Sequence, residues 1–365
     1  MRALMTLSLL ASACGPIDSP QEPIKARILA SSGQEGYRFR DVEFSTLRSI
    51  GPVQGDFALV KGSAILNLNS DINEVIASSD PAAIYSDRGH GLSIDYTLKD
   101  GVVYPRDFTS MAALAIYYNF ERTFKFWQEY NNLSIDDFGF TTIYNNPILK
   151  ADTGNTSTEI ETKVNAAFLT GVRDLWFLKK SKLALVPIKM NFAIMAHEFF
   201  HSLFDLLVAQ KDVDFYNGSS SASFTLSAIN EGMADFFAIL VTERKAELGE
   251  SLAIMASSRV PPVPWFESNY RFICGSSYYC LGSVLNSALY EAGETIGMKE
   301  VGRYVLDALP GLRELWLANR EVSFTIDQFL NLIIAKASVG DQVILCQSLT
   351  KWFNSSAGLL TCTAS

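Results

Sequence analysis

The chain has 365 residues, more than a single small core usually holds, which predicts about two lobes or domains. Hydrophobic residues make up 48% and charged residues 19%, a composition typical of a well-packed globular protein. The net charge of -9 argues against nucleic acid as a partner and offers no basic face to an anionic membrane. No internal apolar run reaches the roughly 20 residues of a membrane-spanning helix.

The N-terminus is organised as an export signal. Arg2 is followed by a short apolar core over residues 3–10, and small residues at 11–13 precede Cys14. Small residues directly before a cysteine resemble a bacterial lipobox, although Ala11 stands where that motif usually has leucine. We therefore predict a lipid anchor at Cys14, as the only contact with a membrane, and a location in the bacterial cell envelope. The alternative is ordinary cleavage before Cys14, which would give a secreted protein.

The cysteine count fits an oxidising compartment. Five cysteines are present, and lipidation of Cys14 would leave four in two close pairs. Both pairs can bridge outside the cytoplasm, which predicts disulfides Cys274–Cys280 and Cys346–Cys362. A reduced set of thiols is the alternative, because sequence does not fix connectivity.

The order of predicted elements indicates an α+β fold. Residues 25–104 contain alternating apolar and polar positions separated by turn signals, which predict strands. An aromatic-rich helix is predicted over residues 111–130 and a further strand over 165–178. From Pro187 onward the pattern is mainly helical.

The strongest chemical signal is the pattern His197-Glu198-Phe199-Phe200-His201 within an apolar run of helical spacing. Residues i and i+4 share one face of a helix, so both imidazoles can bind one metal ion. Glu198 is offset by about 100° around the helix, beside the metal, where a general base for an activated water must lie. The alternative is a core helix whose two histidines are satisfied by other partners.

A catalytic zinc typically has three protein ligands and a water, so the two histidines need a third partner. The next helical pattern supplies Glu231 and Asp235, again at i and i+4. We predict that Glu231 binds the metal and that Asp235 accepts a hydrogen bond from His197, which would fix its tautomer. The alternative is a solvated acidic stripe on an amphipathic helix.

These motifs resemble the thermolysin family of zinc peptidases, the gluzincins, from roughly residue 105 to residue 300. The match lies in Asn230-Glu231 followed by Asp235, and in Asp205 four residues after His201. The resemblance implies a zinc cofactor in a cleft between a strand-rich lobe and a helical lobe. It also implies that Asn230 and Asp205 lie beside the metal ligands.

The resemblance further implies how a peptide substrate would bind. Asn165 and Ala166 begin a segment similar to the family's edge strand, and an exposed edge can hold an extended peptide by strand addition. Arg259 and Arg271 each fit the arginine that binds the substrate carbonyl. We name Arg271 as the candidate, although nothing in the sequence separates the two.

The chain also departs from the family. It has no histidine after His201, whereas the family has a catalytic histidine in its C-terminal lobe. Matching the following helix places Tyr279 at that position, and a tyrosine hydroxyl can donate a hydrogen bond to a developing oxyanion. The alternative is that Tyr279 and its neighbour Tyr278 are packing aromatics. The acidic positions of the family's paired calcium site hold Ala193 and Thr242, so that site is not carried over.

The predicted organisation follows from these assignments. It comprises a signal peptide (1–13), a tether (14–24), a strand-rich region (25–104), a catalytic lobe (105–210) and a helical C-terminal lobe (211–365). The predicted function is zinc-dependent hydrolysis of peptide bonds, with endopeptidase activity favoured. The alternatives are an aminopeptidase and an envelope lipoprotein that keeps the peptidase fold for binding alone.

Overall fold

The computed structural model describes residues 22–67, 84–152, 157–159, 166–169, 172–178, 185–210, 212, 215–252 and 259–362. The predicted signal peptide, Cys14 and Asn165 lie outside the described residues.

The strands lie mainly in the N-terminal half. They are β1 (Ile24–Ser31), β2 (Tyr37–Phe44), β3 (Leu47–Ile50), β4 (Val53–Gly55), β5 (Ala58–Gly62), β6 (Ile65–Asn67), β7 (Tyr85–Asp87), β8 (His90–Gly91), β9 (Tyr96–Lys99), β10 (Val102–Pro105), β11 (Thr141–Asn145), β12 (Ile148–Asp152), β13 (Ser157–Glu159), β14 (Ala166–Leu169) and β15 (Asp174–Phe177). They form a sheet in the order β2-β1-β10-β9, a second in the order β14-β15-β11-β5-β4-β3 with β8 on β5, and a third in the order β13-β12-β6-β7.

The helices dominate the rest of the chain. They are α1 (Phe108–Asn131), α2 (Ile135–Phe138), α3 (Phe192–Phe204), α4 (Ser220–Thr242), α5 (Gly249–Leu252), α6 (Tyr270–Cys274), α7 (Tyr278–Ile296), α8 (Met298–Asn319), α9 (Ile326–Lys336) and α10 (Val339–Trp352). A short 3-10 turn, Ile188–Met190, precedes α3, and a π-helical segment, Asp205–Ala209, follows it. The predicted α+β class, with a strand-rich N-terminal part and a helical C-terminal part, is confirmed.

Helix α1 supports α3 through aromatic packing. Its N-terminus is capped by the Asp107 side chain, which accepts a hydrogen bond from the Ser110 backbone N–H at 2.7 Å. Along its buried face, the Phe120 ring lies 5.4 Å from Phe199. The Trp127 ring lies 6.2 Å from Phe200, centroid to centroid. The two phenylalanines of the His-Glu-Phe-Phe-His motif therefore anchor α3 in the core, with the histidines on another face.

One continuous hydrophobic core joins the strand-rich part to the helical part, from Ala26 on β1 to Leu360 near the C-terminus. Among the described residues, two helical segments are long and apolar enough to cross a membrane, Phe192–Ala209 and Ser220–Thr242, which differs from the sequence expectation. These segments are 83% and 67% buried inside the molecule, as expected of core helices in a protein of this composition.

Two disulfides cross-link segments of the helical part, as predicted. Cys274 and Cys280 are bridged with their Cα atoms 6.3 Å apart, which ties the end of α6 to the first turn of α7. Cys346 and Cys362 are bridged at 5.8 Å, which ties α10 to the C-terminal segment.

Candidate metal centre

The N-terminus of α3 is held by a buried polar network. The Asn191 side chain caps the helix, and its amide donates to the Glu247 backbone carbonyl at 2.7 Å. The first helical N–H, of Phe192, donates to the Tyr37 hydroxyl at 2.6 Å. That hydroxyl donates in turn to the Glu247 carboxylate at 2.5 Å. Strand β2 and the segment after α4 therefore fix where α3 begins.

Arg244 supplies positive charge to the same network. Its Nη1 lies 3.2 Å from Oε2 of Glu247, and its Nη2 donates to Oε1 of Glu250 at 2.6 Å. The Glu247 side chain is 0% exposed, and this burial raises its pKa. The arginine thus compensates a carboxylate whose burial would otherwise be costly.

Three candidate ligand side chains converge where α3 faces α4. His197 Nε2 and His201 Nε2 lie 3.1 Å apart. Glu231 approaches with Oε2 at 3.3 Å from His197 Nε2 and with Oε1 at 3.7 Å from His201 Nε2. Tetrahedral zinc with bonds of about 2.0–2.1 Å separates its ligand atoms by about 3.3 Å. The three side chains therefore form a group that could hold a metal ion.

The remaining ring nitrogens of both histidines have acceptors. His197 Nδ1 lies 3.0 Å from Oδ1 of Asp235, and His201 Nδ1 lies 3.1 Å from Oδ1 of Asn230. In a neutral imidazole whose Nδ1 donates to its partner, Nε2 keeps a lone pair directed at the site. This arrangement sets the tautomer that a metal ligand requires.

Helix α4 carries Glu231, and its position depends on a close helix crossing. At the crossing with α7, a Cβ on Gly232 would lie 2.5 Å from the Gly282 carbonyl oxygen. A Cβ on Gly282 would lie 2.9 Å from the Ala228 carbonyl oxygen. Because glycine alone permits this backbone contact, the crossing brings the first turn of α7 close to Glu231.

Of the two candidate arginines, Arg259 is the one that contacts the site. Its Nε and Nη2 donate to the two carboxylate oxygens of Asp235 at 2.9 and 2.6 Å, a bidentate pair. Its Nη2 also donates to Oε2 of Glu231 at 3.2 Å. Arg271, our sequence candidate, instead donates to the Tyr270 hydroxyl at 2.9 Å and lies over the Phe224 ring. The structure therefore favours Arg259 of the two, a choice that depends on the path of the chain.

The ionisable groups of the centre are strongly coupled. Burial lowers the pKa of His197, but hydrogen bonds to Asp235 and Glu231 outweigh it and raise that pKa to about 9. Burial raises the pKa of Glu231, yet His201, His197 and Arg259 together hold it at about 2. Glu198 differs, because burial raises its pKa and the nearby cations only partly oppose the shift. Glu231 is thus a stable anion, whereas Glu198 is a carboxylate that takes up a proton more readily.

Tyr279 lies beside this cluster. Its ring packs under the Arg259 guanidinium, with the carbon Cζ of Arg259 5.0 Å from the ring centroid. The charge of Glu231 is the largest influence on the Tyr279 pKa and, together with burial, raises it. Tyr279 is therefore a neutral hydroxyl, able to donate a hydrogen bond.

The other predicted residues are placed as follows. Asp205 lies at the end of α3, with its Oδ1 3.5 Å from the Tyr216 hydroxyl. Its negative charge partly offsets the lowering of the Arg173 pKa by burial. Ala166 begins β14, which among the described strands pairs with β15 alone and so ends its sheet, and which contacts α3.

The sequence matches no family model and no curated protein. Among solved structures, the chain is similar to the precursor of protealysin, a metalloproteinase from Serratia proteamaculans, with 14% sequence identity and a TM-score of 0.47. The superposition covers 84% of this chain and 91% of that chain. An identity and a score this low establish neither family nor function, so any function must rest on the geometry of the centre.

Proposed function

We propose that this protein is a zinc-dependent peptidase, with endopeptidase activity favoured. The observation that carries the proposal is the group of His197, His201 and Glu231, whose ligand atoms all lie within 4.8 Å of one another. Nitrogen and carboxylate ligands of this kind are typical of catalytic zinc, and three protein ligands leave a fourth position open. A bound zinc ion would supply an activated water of pKa about 7 and a positive charge beside the scissile carbonyl.

Glu198 would act as the general base. It follows His197 directly on α3, and its side chain is buried. Because burial raises the pKa of this carboxyl, it can accept a proton from the attacking water and deliver it to the leaving amine. A carboxylate with an ordinary pKa would hold that proton less readily at neutral pH.

Tyr279 and Arg259 would act on the substrate carbonyl. Tyr279 offers a neutral hydroxyl beside Glu231, suited to stabilising the oxyanion that forms during attack. Arg259 offers a fixed guanidinium that is anchored by Asp235, and a substrate oxygen could share its charge. An extended peptide could pair with β14, which ends its sheet among the described strands and contacts α3.

A non-catalytic binding protein is the second candidate, and one contact favours it. Arg259 donates to Glu231 at 3.2 Å and so competes with a metal ion for that carboxylate. If this pair holds when metal is offered, the centre is a salt-bridge network and not a metal site. Metal content and activity must therefore be measured together.

The test combines metal analysis with hydrolysis of casein and of a peptide library. We expect one zinc ion per chain and peptide cleavage by the parent protein. Glu198→Gln should keep the zinc and lose turnover, whereas His201→Ala should lose both. His90→Ala, on β8, is the matched histidine control and should keep both. A parent that binds no zinc, or that binds zinc and cleaves nothing, would refute the proposal.

We further propose that the mature protein is exported and anchored by lipid at Cys14. The small residues before this cysteine and the odd cysteine count support the proposal. Intact-mass analysis of the native N-terminal peptide should show an acyl group on Cys14. A mature chain without lipid would instead indicate a secreted protein.

A further inference from the structure

A cavity of about 530 Å³ lies where the C-terminal parts of α4 and α7 meet the start of α8. Volumes of about 300–1,000 Å³ are typical of small-molecule binding sites. None of the residues that line this cavity belongs to the candidate metal centre, so it is a separate feature of the molecule. The lining residues are Ile239, Leu240, Glu243, Lys245, Tyr290, Gly297, Met298 and Lys299.

The inner wall of the cavity is apolar and held in place. Ile239 and Leu240, on the last turns of α4, are buried, and Met298, the first residue of α8, is half-buried. The Tyr130 hydroxyl of α1 donates a hydrogen bond to the Lys299 backbone carbonyl, which fixes the first turn of α8. The methionine side chain can adjust to the shape of an apolar ligand, whereas the wall behind it belongs to the packed core.

The charged side chains lie at the mouth of the cavity. Lys245, Lys299 and Glu243 are all exposed, and the Lys245 ammonium lies 5.4 Å from the centroid of the Tyr290 ring, which also lines the cavity. Among the described residues, neither lysine has a carboxylate within 4.0 Å of its ammonium. Two ammonium groups thus face one carboxylate here, in a chain whose net charge is -9. The mouth therefore attracts an anion, unlike the acidic molecule as a whole.

We propose that this cavity binds a small amphiphilic carboxylate of the fatty-acid class. The apolar chain of the ligand would lie against Ile239, Leu240 and Met298, where each methylene removed from water favours binding. Its carboxylate would lie at the mouth and pair with the ammonium groups of Lys245 and Lys299. An amphiphile with a cationic head would bury the same chain but meet two like charges. The inference goes beyond the proposed function and does not depend on it.

Calorimetry with dodecanoate below its micellar concentration tests the inference. We expect one binding site per chain. Dodecyltrimethylammonium, which has the same chain and the opposite charge, and butyrate, which has the same head and a short chain, should each bind at least about tenfold more weakly. The double variant Lys245→Met/Lys299→Met should lose about tenfold in affinity for dodecanoate. Lys99→Met/Lys336→Met removes the same charge from exposed positions outside the cavity and should keep parental affinity.

A second measurement locates the ligand. In protein labelled with ¹³C at the methionine methyl groups, dodecanoate should shift the NMR signal of Met298, which is assigned by its loss in Met298→Leu. The signal of Met195, fully buried on α3, should stay in place. Neither measurement needs zinc or turnover, so a protein that cleaves no peptide can still confirm the inference.

Four results would overturn it. They are no binding of dodecanoate up to about 1 mM, equal binding of the cationic amphiphile, parental affinity in Lys245→Met/Lys299→Met, and binding without a shift of the Met298 signal. A short peptide ending in leucine that binds more tightly than dodecanoate would assign the cavity to peptide carboxyl termini instead, and so would also overturn the fatty-acid class.

Discussion

The Nδ1 atom of His197 lies 3.0 Å from Oδ1 of Asp235, and this one contact decides which nitrogen of the imidazole faces the candidate metal site. Asp235 is itself held by the bidentate pair with Arg259. The orientation of the first histidine thus depends on a chain of two charged residues behind it.

The first prediction follows from that contact. Asp235→Asn keeps the shape of the side chain but removes the charge that orients His197. Loss of such a partner typically lowers metal affinity about 10- to 100-fold. Competition with a chromophoric zinc chelator should show this loss. Asp307→Asn, an exposed aspartate on α8, should leave the affinity at the parental value.

The second prediction concerns Tyr279. Tyr279→Phe removes only the hydroxyl, which acts mainly in the transition state, so kcat should fall and KM should change little. Loss of one oxyanion donor typically costs about 10²–10³ in kcat. Steady-state kinetics on zinc-loaded protein measures the effect. Full kcat with zinc in place would exclude Tyr279 as the donor.

The third prediction tests the helix crossing. Gly282→Ala places a methyl group against the Ala228 carbonyl oxygen and the Gly232 nitrogen, so α7 must move away from α4. We expect a loss of about 1–3 kcal/mol in the free energy of unfolding and a lower kcat, with zinc retained. Gly340→Ala on α10, whose new Cβ would meet nothing within 4 Å, is the control. Unfolding in urea and steady-state kinetics together measure the result.

The fourth prediction concerns pH and the buried Lys189, whose Nζ donates to Oδ1 of Asn145 at 2.9 Å. Burial lowers the pKa of this lysine from 10.5 to about 8. Between those values the unfolded chain binds more protons than the folded protein, so the contribution of Lys189 to stability rises with pH. The rise should approach about 3 kcal/mol, at 1.36 kcal/mol per pH unit.

Lys189→Met should remove this rise from the pH profile of unfolding free energy. Tyrosines titrate near the upper end of the same window, so the quantity to compare is the difference between parent and variant. Lys99→Met, on an exposed strand position, should leave the profile unchanged. Equal slopes in the parent and Lys189→Met between pH 8 and 10 would contradict the prediction.

The fifth prediction concerns the network at the start of α3. Tyr37→Phe removes the acceptor of the Phe192 N–H and a donor to the buried Glu247. Leaving buried polar groups unpaired costs about 1–3 kcal/mol each, so unfolding in urea should occur at a lower midpoint. Tyr96→Phe, on the exposed strand β9, should leave the midpoint unchanged.

The sequence could predict contacts that a single helix imposes. His197 and His201 face the same way because four residues make about one helical turn, and Glu231 and Asp235 do so for the same reason. The structure places the two pairs against each other, with 3.3 Å between His197 Nε2 and Glu231 Oε2.

Contacts between distant segments were beyond the sequence. The Tyr37 hydroxyl meets Glu247 across 210 positions and Phe192 across 155, and no local pattern marks such pairs. The choice between Arg259 and Arg271 likewise depends on how the segment between α5 and α6 runs. Periodicity is informative within an element, whereas these contacts depend on how elements pack.

Arg244 gives the network around α3 a further property. A bound ion stabilises a protein by an amount that depends on its free concentration, because binding follows mass action. The guanidinium between Glu247 and Glu250 belongs to the chain, so its local concentration is constant and no chelator can remove it. The contribution of these ion pairs to stability therefore does not depend on the free concentration of a bound metal ion.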